Sequence, residues 1–177
     1  MDTSLRAVIW RQFGAAIDMV ERAMAACPDA LWHDRSKRPE FWYVAYHTLF
    51  YLDLYLSDSV DGFAPPAPFT LDELDPSGPP PEQPYTKDEL HRFLTHGRTK
   101  CRATIAALTL ANVNERLHFP CGDFSRLELM LYNMRHVQHH AAQLNLMLRQ
   151  AIDSAPGWVA RTDGSWNEEI ETQAPTE

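Results

Sequence analysis

Two histidines lie one helical turn apart in a segment whose apolar residues recur at helical spacing. His136 and His140 belong to the run from Met134 to Leu146, and their spacing places both imidazoles on one helix face. Two imidazoles that face a core can share one ligand, and the usual shared ligand is a metal ion. A pair of hydrogen-bonded core histidines is the alternative interpretation. His139 lies toward the polar edge of the same helix and is the weaker candidate.

A third ligand has to come from another helix of the same core. His47 is the candidate, because it lies midway along a segment that is just as apolar. Three imidazole nitrogens without a fourth protein ligand are typical of an open site, where one position remains for water or substrate. Imidazole suits zinc, nickel, copper and iron, so the ligand type alone does not choose among these metals.

Two more polar residues accompany the histidines. Gln143 is expected to hydrogen-bond a ligand rather than to bind the metal itself. Glu40 precedes His47 by two helical turns on the same face. It is a candidate catalytic residue that would orient a ligand or act as a base; alternatively, it only lines the mouth of a pocket.

Four helical segments have to position these side chains. Pro39 suits the first turn of the second helix, and capping boxes open the third, Thr86 to Glu89, and the fourth, Ser125 to Glu128. No segment shows the alternation and turn signals of a β-hairpin. The predicted fold class is therefore all-α, a four-helix bundle. The apolar period predicts its helices over 3–26, 39–56, 86–108 and 125–152.

The connection between the second and third helices, residues 57–85, is long and holds eight of the thirteen prolines. A loop of this length is uncommon in a compact domain. It is expected where these two helices run parallel, because the chain then has to travel the length of the bundle. The same loop could equally serve as a cover over the functional site.

The second helix is apolar nearly all round, which predicts burial on more than one side. Leu49, Leu52 and Leu56 point nearly opposite to His47, toward a face that one bundle core does not cover. Either the proline-rich loop or a second copy of the chain has to cover this face. Because exposed apolar patches usually mark interfaces, we expect a homodimer if the loop lies elsewhere.

Composition bounds the domain organisation. The chain has 177 residues, of which 45% are hydrophobic, enough for one domain with a sizeable core. We expect this domain over residues 1–152, with the loop 57–85 as a crossover. An acidic tail follows over residues 153–177, and fraying is expected beyond Trp166.

Composition also excludes several partners. The formal charge of −8 lacks the basic footprint of nucleic-acid binding, so no nucleic-acid partner is expected. No apolar run is long enough to span a membrane, and the N-terminal segment is not typical of a signal peptide. The three cysteines are far apart and odd in number, which is typical of reduced thiols in a cytoplasmic protein. They are Cys27, Cys101 and Cys121.

With these residues assigned, the sequence resembles the DinB family of metalloenzymes. The resemblance rests on His136 and His140 followed by Gln143 and Leu144, on His47 in the second helix, and on the four-helix layout. It covers roughly residues 1–152. Members commonly show His-Arg-Gly-Gln-Leu at the second histidine, where this chain has His-Ala-Ala-Gln-Leu.

The resemblance implies a bundle with a long crossover between helices two and three and a metal, often nickel or zinc, held by His47, His136 and His140. It also implies a homodimer. The better-understood relatives transfer or isomerise with low-molecular-weight thiols such as bacillithiol or mycothiol. The function predicted is thus a metal-dependent enzyme, a thiol S-transferase or hydrolase acting on a small electrophile. The alternative is a non-catalytic stress protein that binds a metal or a small ligand.

Overall fold

Helices make up most of the computed structural model, which describes residues 3–36, 38–75, 78, 81–163 and 166. The predicted fold class, a largely all-α four-helix bundle, is confirmed. In chain order the helices are α1 (Thr3–Ala26), α2 (Asp29–Trp32), α3 (Phe41–Leu54), α4 (Lys87–Ala106) and α5 (Arg126–Ile152). A short 3-10 helix (Leu71–Leu74) and two strands, β1 (Arg116–Phe119) and β2 (Gly122–Ser125), lie in the connections.

Both predicted capping boxes are present. The Thr86 side chain accepts a hydrogen bond from the Glu89 amide, and the Glu89 carboxylate accepts one from the Thr86 amide. Ser125 and Glu128 make the same reciprocal pair at the start of α5. Each box satisfies amide groups that have no partner within the helix, so the sequence locates both helix starts.

The start of α3 differs from the prediction by two residues. Pro39 was expected in the first turn, but the helix begins at Phe41 and Glu40 is its N-cap. The backbone of Glu40 is extended, with φ −74° and ψ 149°, so Pro39 lies outside the helix. Hydrogen bonds from Arg35 and Arg38 to the Glu40 carboxylate accompany this conformation.

The helices α3 and α4 run parallel, as the long connection between them predicts. Tyr46, early in α3, lies against Tyr85, just before α4, with ring centroids 4.9 Å apart. Asp53, late in α3, meets Lys100, late in α4, at 2.5 Å. Because early residues meet early ones and late residues meet late ones, the segment between them has to return along the bundle.

The helices α3 and α5 run antiparallel. His47 lies beside His140, whereas Tyr55, just past the end of α3, lies beside Tyr132 in the first half of α5. This arrangement brings the middle of α3 level with the middle of α5. Histidines from both helices therefore meet at one height in the bundle.

The proline-rich crossover packs against α3 and α4. Phe69 stacks on Phe93 at 4.2 Å, and Phe63 meets the edge of Phe50 at 5.5 Å. The second face of α3 is buried within the single chain, as its leucines are at most 7% exposed: Leu49, Leu52 and Leu56. This face therefore offers no apolar patch to a second copy. Dimerisation stays a prediction, and its interface would lie elsewhere.

A β-hairpin precedes α5, and the expectation of no hairpin is wrong here. Strands β1 and β2 pair antiparallel, with Leu117 opposite Phe124 and Phe119 opposite Gly122. Leu117 and Phe119 are buried while Arg116 and the residue between them are exposed, which is a period-two pattern. Four residues are too few for this pattern to stand out in a sequence, which is why the hairpin was missed.

Residues 153–163 leave α5 and return to α1. The amide of Thr162 donates to the Arg11 carbonyl at 3.0 Å, and Val159 is buried. Residues 167–177, the part of the tail that was expected to fray, lie outside the described residues. In the described part of the chain no helix has the length and hydropathy needed to cross a bilayer. The cysteines are unpaired: Cys27, Cys101 and Cys121.

Candidate metal centre

The structure brings His47, His136 and His140 together. His47 projects from the middle of α3, and the other two project from successive turns of α5. Each offers one ligand nitrogen, and these nitrogens all lie within 4.8 Å of one another. Nε2 of His136 lies 3.1 Å from Nε2 of His140. We call these residues the three-histidine cluster.

A carboxylate fixes the orientation of His47. Nδ1 of His47 lies 2.6 Å from Oε1 of Glu73, in the 3-10 helix of the crossover. An ionised carboxylate only accepts hydrogen bonds, so Nδ1 of His47 carries the proton and donates it. Nε2 of the same ring then presents a lone pair. This is the usual arrangement around metal-ligating histidines, whose second nitrogen donates to a carboxylate or carbonyl.

Glu73 is itself held by two tyrosines of α3. The Tyr43 hydroxyl donates to Oε1 of Glu73 at 3.1 Å, and the Tyr51 hydroxyl donates to the Glu73 backbone carbonyl at 3.3 Å. The Glu73 side chain is 6% exposed. The crossover therefore covers the histidine side of α3 as well as packing against α4.

An amide fixes the orientation of His140. Nδ1 of His140 lies 2.7 Å from Oε1 of Gln143, and Nε2 of Gln143 lies 3.2 Å from Nε2 of His139. In this chain of contacts Gln143 accepts from His140 and donates to the exposed ring of His139. Gln143 therefore has the hydrogen-bonding role expected of it, and His139 contacts the cluster only from outside.

His136 tests whether the donor set fits a metal ion. Its Nδ1 is buried without a hydrogen-bond partner among the described residues, and its Nε2 faces Nε2 of His140. Nδ1 of His140 carries a proton and donates a hydrogen bond to Gln143, so Nε2 of His140 presents a lone pair. Two nitrogens bound to one tetrahedral ion at about 2.1 Å lie roughly 3.4 Å apart. The cluster therefore fits a divalent ion.

Burial keeps two of the three rings neutral. Loss of solvent contact, together with the neighbouring imidazoles, lowers the pKa of His136 to about 3. Burial likewise lowers the pKa of His140 to about 4, although the hydrogen bond with Gln143 opposes the shift. Both rings therefore have free lone pairs at neutral pH, which is the form that binds metal.

Glu40 lies apart from this hydrogen-bond network. Its carboxylate is 5% exposed and accepts from Arg35, Arg38 and the Trp42 indole at 2.8, 2.7 and 2.6 Å. These contacts anchor the start of α3. The carboxylate that contacts His47 is that of Glu73. A catalytic role for Glu40 stays a prediction.

Sequence reasoning missed Glu73 because it lies in the proline-rich crossover. The segment from Phe69 to Leu74 has no helical or strand period that would give its side chains a direction. Its one local signal is Thr70, whose side chain caps the 3-10 helix by accepting from the Asp72 amide. That cap predicts a turn. The position of the turn over His47 depends on tertiary packing.

Comparison with known proteins identifies the family. No curated protein matches the chain. The sequence profile of the DinB superfamily matches residues 12–144, well over half of the chain. The matched region begins within α1 and ends within α5, so it includes all three clustered histidines. A three-histidine cluster in this fold fits a metal-binding protein of that kind. The chain belongs to the DinB superfamily.

Proposed function

We propose that the chain is a metal-dependent enzyme that acts on a small electrophile with a low-molecular-weight thiol or with water. His47, His136 and His140 would hold one divalent ion, nickel or zinc. The observation that carries the proposal is the convergence of three imidazole nitrogens within 4.8 Å. Structural zinc sites use four protein ligands, and three ligands with an open position are typical of catalytic sites.

The chemistry needs a nucleophile at neutral pH. A bound divalent ion would lower the pKa of a thiol or water in its open position and would polarise an oxygen of the substrate. In a thiol transfer, the sulfur forms a bond to the electrophilic carbon and the leaving group departs with its electron pair. The thiol proton goes to solvent.

The residues around the cluster supply orientation. Glu73 holds the proton on Nδ1 of His47, and Gln143 accepts the proton on Nδ1 of His140. Both contacts keep Nε2 of the ring available as a ligand. A carboxylate partner also fixes the ring orientation of a ligating histidine, so Glu73 would position His47 toward the ion.

Aromatic rings shield the α3 side of the cluster. The Tyr51 ring lies 4.7 Å from the His47 ring and 5.6 Å from the His136 ring. The Tyr55 ring lies 5.9 Å from His136. These rings cover part of the cluster, although the His47 side chain is still 29% exposed. The approach that we propose for a substrate is past α5, where His139 is exposed.

The first test is metal analysis of the purified chain. Wild type is expected to hold about one nickel or zinc ion per chain, and His136→Ala or His140→Ala to lose it, since two remaining imidazoles bind weakly. His91→Ala, an exposed histidine on α4, is the matched control and should keep the ion. Full occupancy in both ligand variants would show that the assignment is wrong.

The second test is turnover. The metal-loaded protein is screened with low-molecular-weight thiols against small electrophiles, and loss of the thiol is followed. Activity that disappears in His140→Ala and persists in His91→Ala supports the enzyme. Stoichiometric metal without any turnover, either by thiol transfer or by hydrolysis, would favour the alternative, a non-catalytic metal-binding protein.

A further inference from the structure

A cavity lies beside the three-histidine cluster, on the flank of α5 that faces α1. Its volume is about 680 Å³, within the range of pockets that hold small organic molecules. The C-terminal segment closes its third side. The residues that matter to its chemistry are Gln12, Ala16, Arg135, His136, His139 and Trp158.

The third wall is held in place by specific contacts. The Thr162 amide donates to the Arg11 carbonyl at 3.0 Å, and Nε2 of Gln12 donates to the Ala160 carbonyl at 3.3 Å. Gly14 of α1 permits this approach, because a Cβ there would lie 2.6 Å from a methyl carbon of Thr162. These contacts hold the C-terminal segment against α1, so both segments form fixed walls of the cavity.

The charge of the cavity is opposite to that of the chain. The whole chain has a formal charge of −8, yet the described residues that line the cavity include no aspartate or glutamate. They do include Arg135, which makes no hydrogen bond or ion pair with any described residue. A guanidinium that is left without a protein partner at a cavity wall is suited to an anionic ligand.

The remainder of the lining combines apolar and aromatic residues with four neutral polar ones, which are Gln12, His136, Gln138 and His139. Ala15, Ala16 and Val159 line the cavity, and so does Trp158, which is 70% exposed. An indole in this position offers a flat surface for a ring or a hydrocarbon body. His136 lines the same cavity, so a ligand there lies next to the three-histidine cluster.

We propose that this cavity binds a small organic anion with an apolar body. Arg135 pairs with the anionic group, and Trp158 contacts the body. The binding itself needs no metal. As the substrate pocket of the three-histidine cluster, the cavity rests on the function proposed above, and it defines the electrophile as an anionic, partly apolar molecule.

The test uses two dyes with nearly the same aromatic body. 1-Anilinonaphthalene-8-sulfonate carries a sulfonate, and N-phenyl-1-naphthylamine lacks it. In fluorescence titrations, Arg135→Gln should weaken the sulfonate dye by about five- to tenfold, the loss of one charged hydrogen bond, and leave the neutral dye unchanged. Trp158→Ala should weaken both dyes. Arg22→Gln, the same charge change on the exposed side of α1, is the matched control and should weaken neither.

The outcomes separate this inference from the metal function. His47→Ala removes a proposed metal ligand that does not line the cavity, so it should lose metal and keep the affinity for both dyes. The inference is overturned if Arg135→Gln and Arg22→Gln bind the sulfonate dye alike, or if Trp158→Ala retains wild-type affinity. A chain that holds no metal but binds the sulfonate dye through Arg135 would refute the metal function alone.

Discussion

Two polar clusters contact α3 from different sides, and they differ in charge balance. On the α4 side, Asp53 is 1% exposed and accepts from Nζ of Lys100 at 2.5 Å and from Nε2 of His96 at 3.2 Å. Lys100 also donates to Ser57 at 2.8 Å. On the α5 side, the three-histidine cluster brings together three bases, and no lysine or arginine among the described residues hydrogen-bonds to their rings.

The difference distinguishes a structural cluster from a binding site. The Asp53 cluster contains its own cation, so its charge is compensated within the chain, although Oδ2 of Asp53 has no hydrogen-bond partner among the described residues. The three-histidine cluster leaves Nδ1 of His136 unpaired and directs ring nitrogens at one another. Ring nitrogens that converge in this way fit a cation from outside the chain. A histidine beside α3 therefore does not by itself indicate a functional site. The lack of a compensating lysine or arginine next to the histidines is the more informative observation.

The largest expected effect comes from a substitution in the Asp53 cluster. Asp53→Asn removes the buried charge that compensates Lys100, and it should lower the free energy of unfolding by about 2–3 kcal/mol in urea titrations. The value is below that of a fully buried pair because the Lys100 side chain is 28% exposed. Metal stoichiometry should stay at the wild-type value, since Asp53 does not contact the histidines of α5.

The matched control for this variant is Asp123→Asn, which removes the carboxylate from an exposed pair with His118 in the hairpin. An exposed pair contributes little, so its effect should stay within about 0.5 kcal/mol. If Asp53→Asn is as stable as this control, the Asp53 cluster is not a structural element. If it loses metal, the two clusters are coupled and the contrast between them fails.

Much of the three-histidine cluster could be predicted from the sequence, because apolar residues recur at helical spacing in both helices that carry it. A spacing of four residues puts His136 and His140 on one face in any helix. The capping box at Ser125 then locates the start of that helix. Mid-helix positions on two segments place His47 level with the pair if the segments are antiparallel. These are local rules, and they hold because the bundle does not override them.

The residues that complete the site could not be foreseen, because their positions depend on contacts distant in sequence. Glu73 reaches His47 since Phe69 packs on Phe93, an interaction between a proline-rich loop and α4. Trp158 reaches the cavity since Thr162 binds the Arg11 carbonyl. Neither segment has a periodic pattern that indicates a direction for its side chains.

The second expected effect concerns Glu73, the carboxylate that contacts the three-histidine cluster. Glu73 is a carboxylate like Asp53, but its partner is an imidazole rather than a fixed cation. Glu73→Ala should weaken metal binding by about 10- to 100-fold, because His47 loses the contact that fixes its proton on Nδ1. Competition with a chelator of known affinity measures the change, and saturating metal should still give one ion per chain.

Glu82→Ala is the matched control, since Glu82 is an exposed carboxylate of the same crossover. Glu73→Gln should fall between the two, because its amide oxygen can still accept from Nδ1 of His47. Wild-type affinity in Glu73→Ala would show that His47 needs no orienting partner. Lost stoichiometry would instead make Glu73 a ligand itself.

The smallest expected effect is the pH dependence of the metal-free protein. The pKa of His136 is lowered to about 3 and that of His140 to about 4, whereas unfolded histidine titrates near 6.5. Between these values the unfolded chain binds more protons than the folded one, so stability falls as the pH falls. From pH 7 to pH 6, each of the two rings should lower the free energy of unfolding by about 0.7 kcal/mol, measured by urea unfolding after chelation.

Replacement of both rings separates their contribution from that of the other titratable groups. The double variant His136→Leu, His140→Leu should lose most of the slope between pH 7 and pH 6, while His91→Leu, on the exposed face of α4, should keep it. An unchanged slope in the double variant would mean that these rings are no less hydrated in the folded chain than in the unfolded one. The three-histidine cluster would then lack the buried, proton-free nitrogens on which its preference for a metal cation over a proton depends.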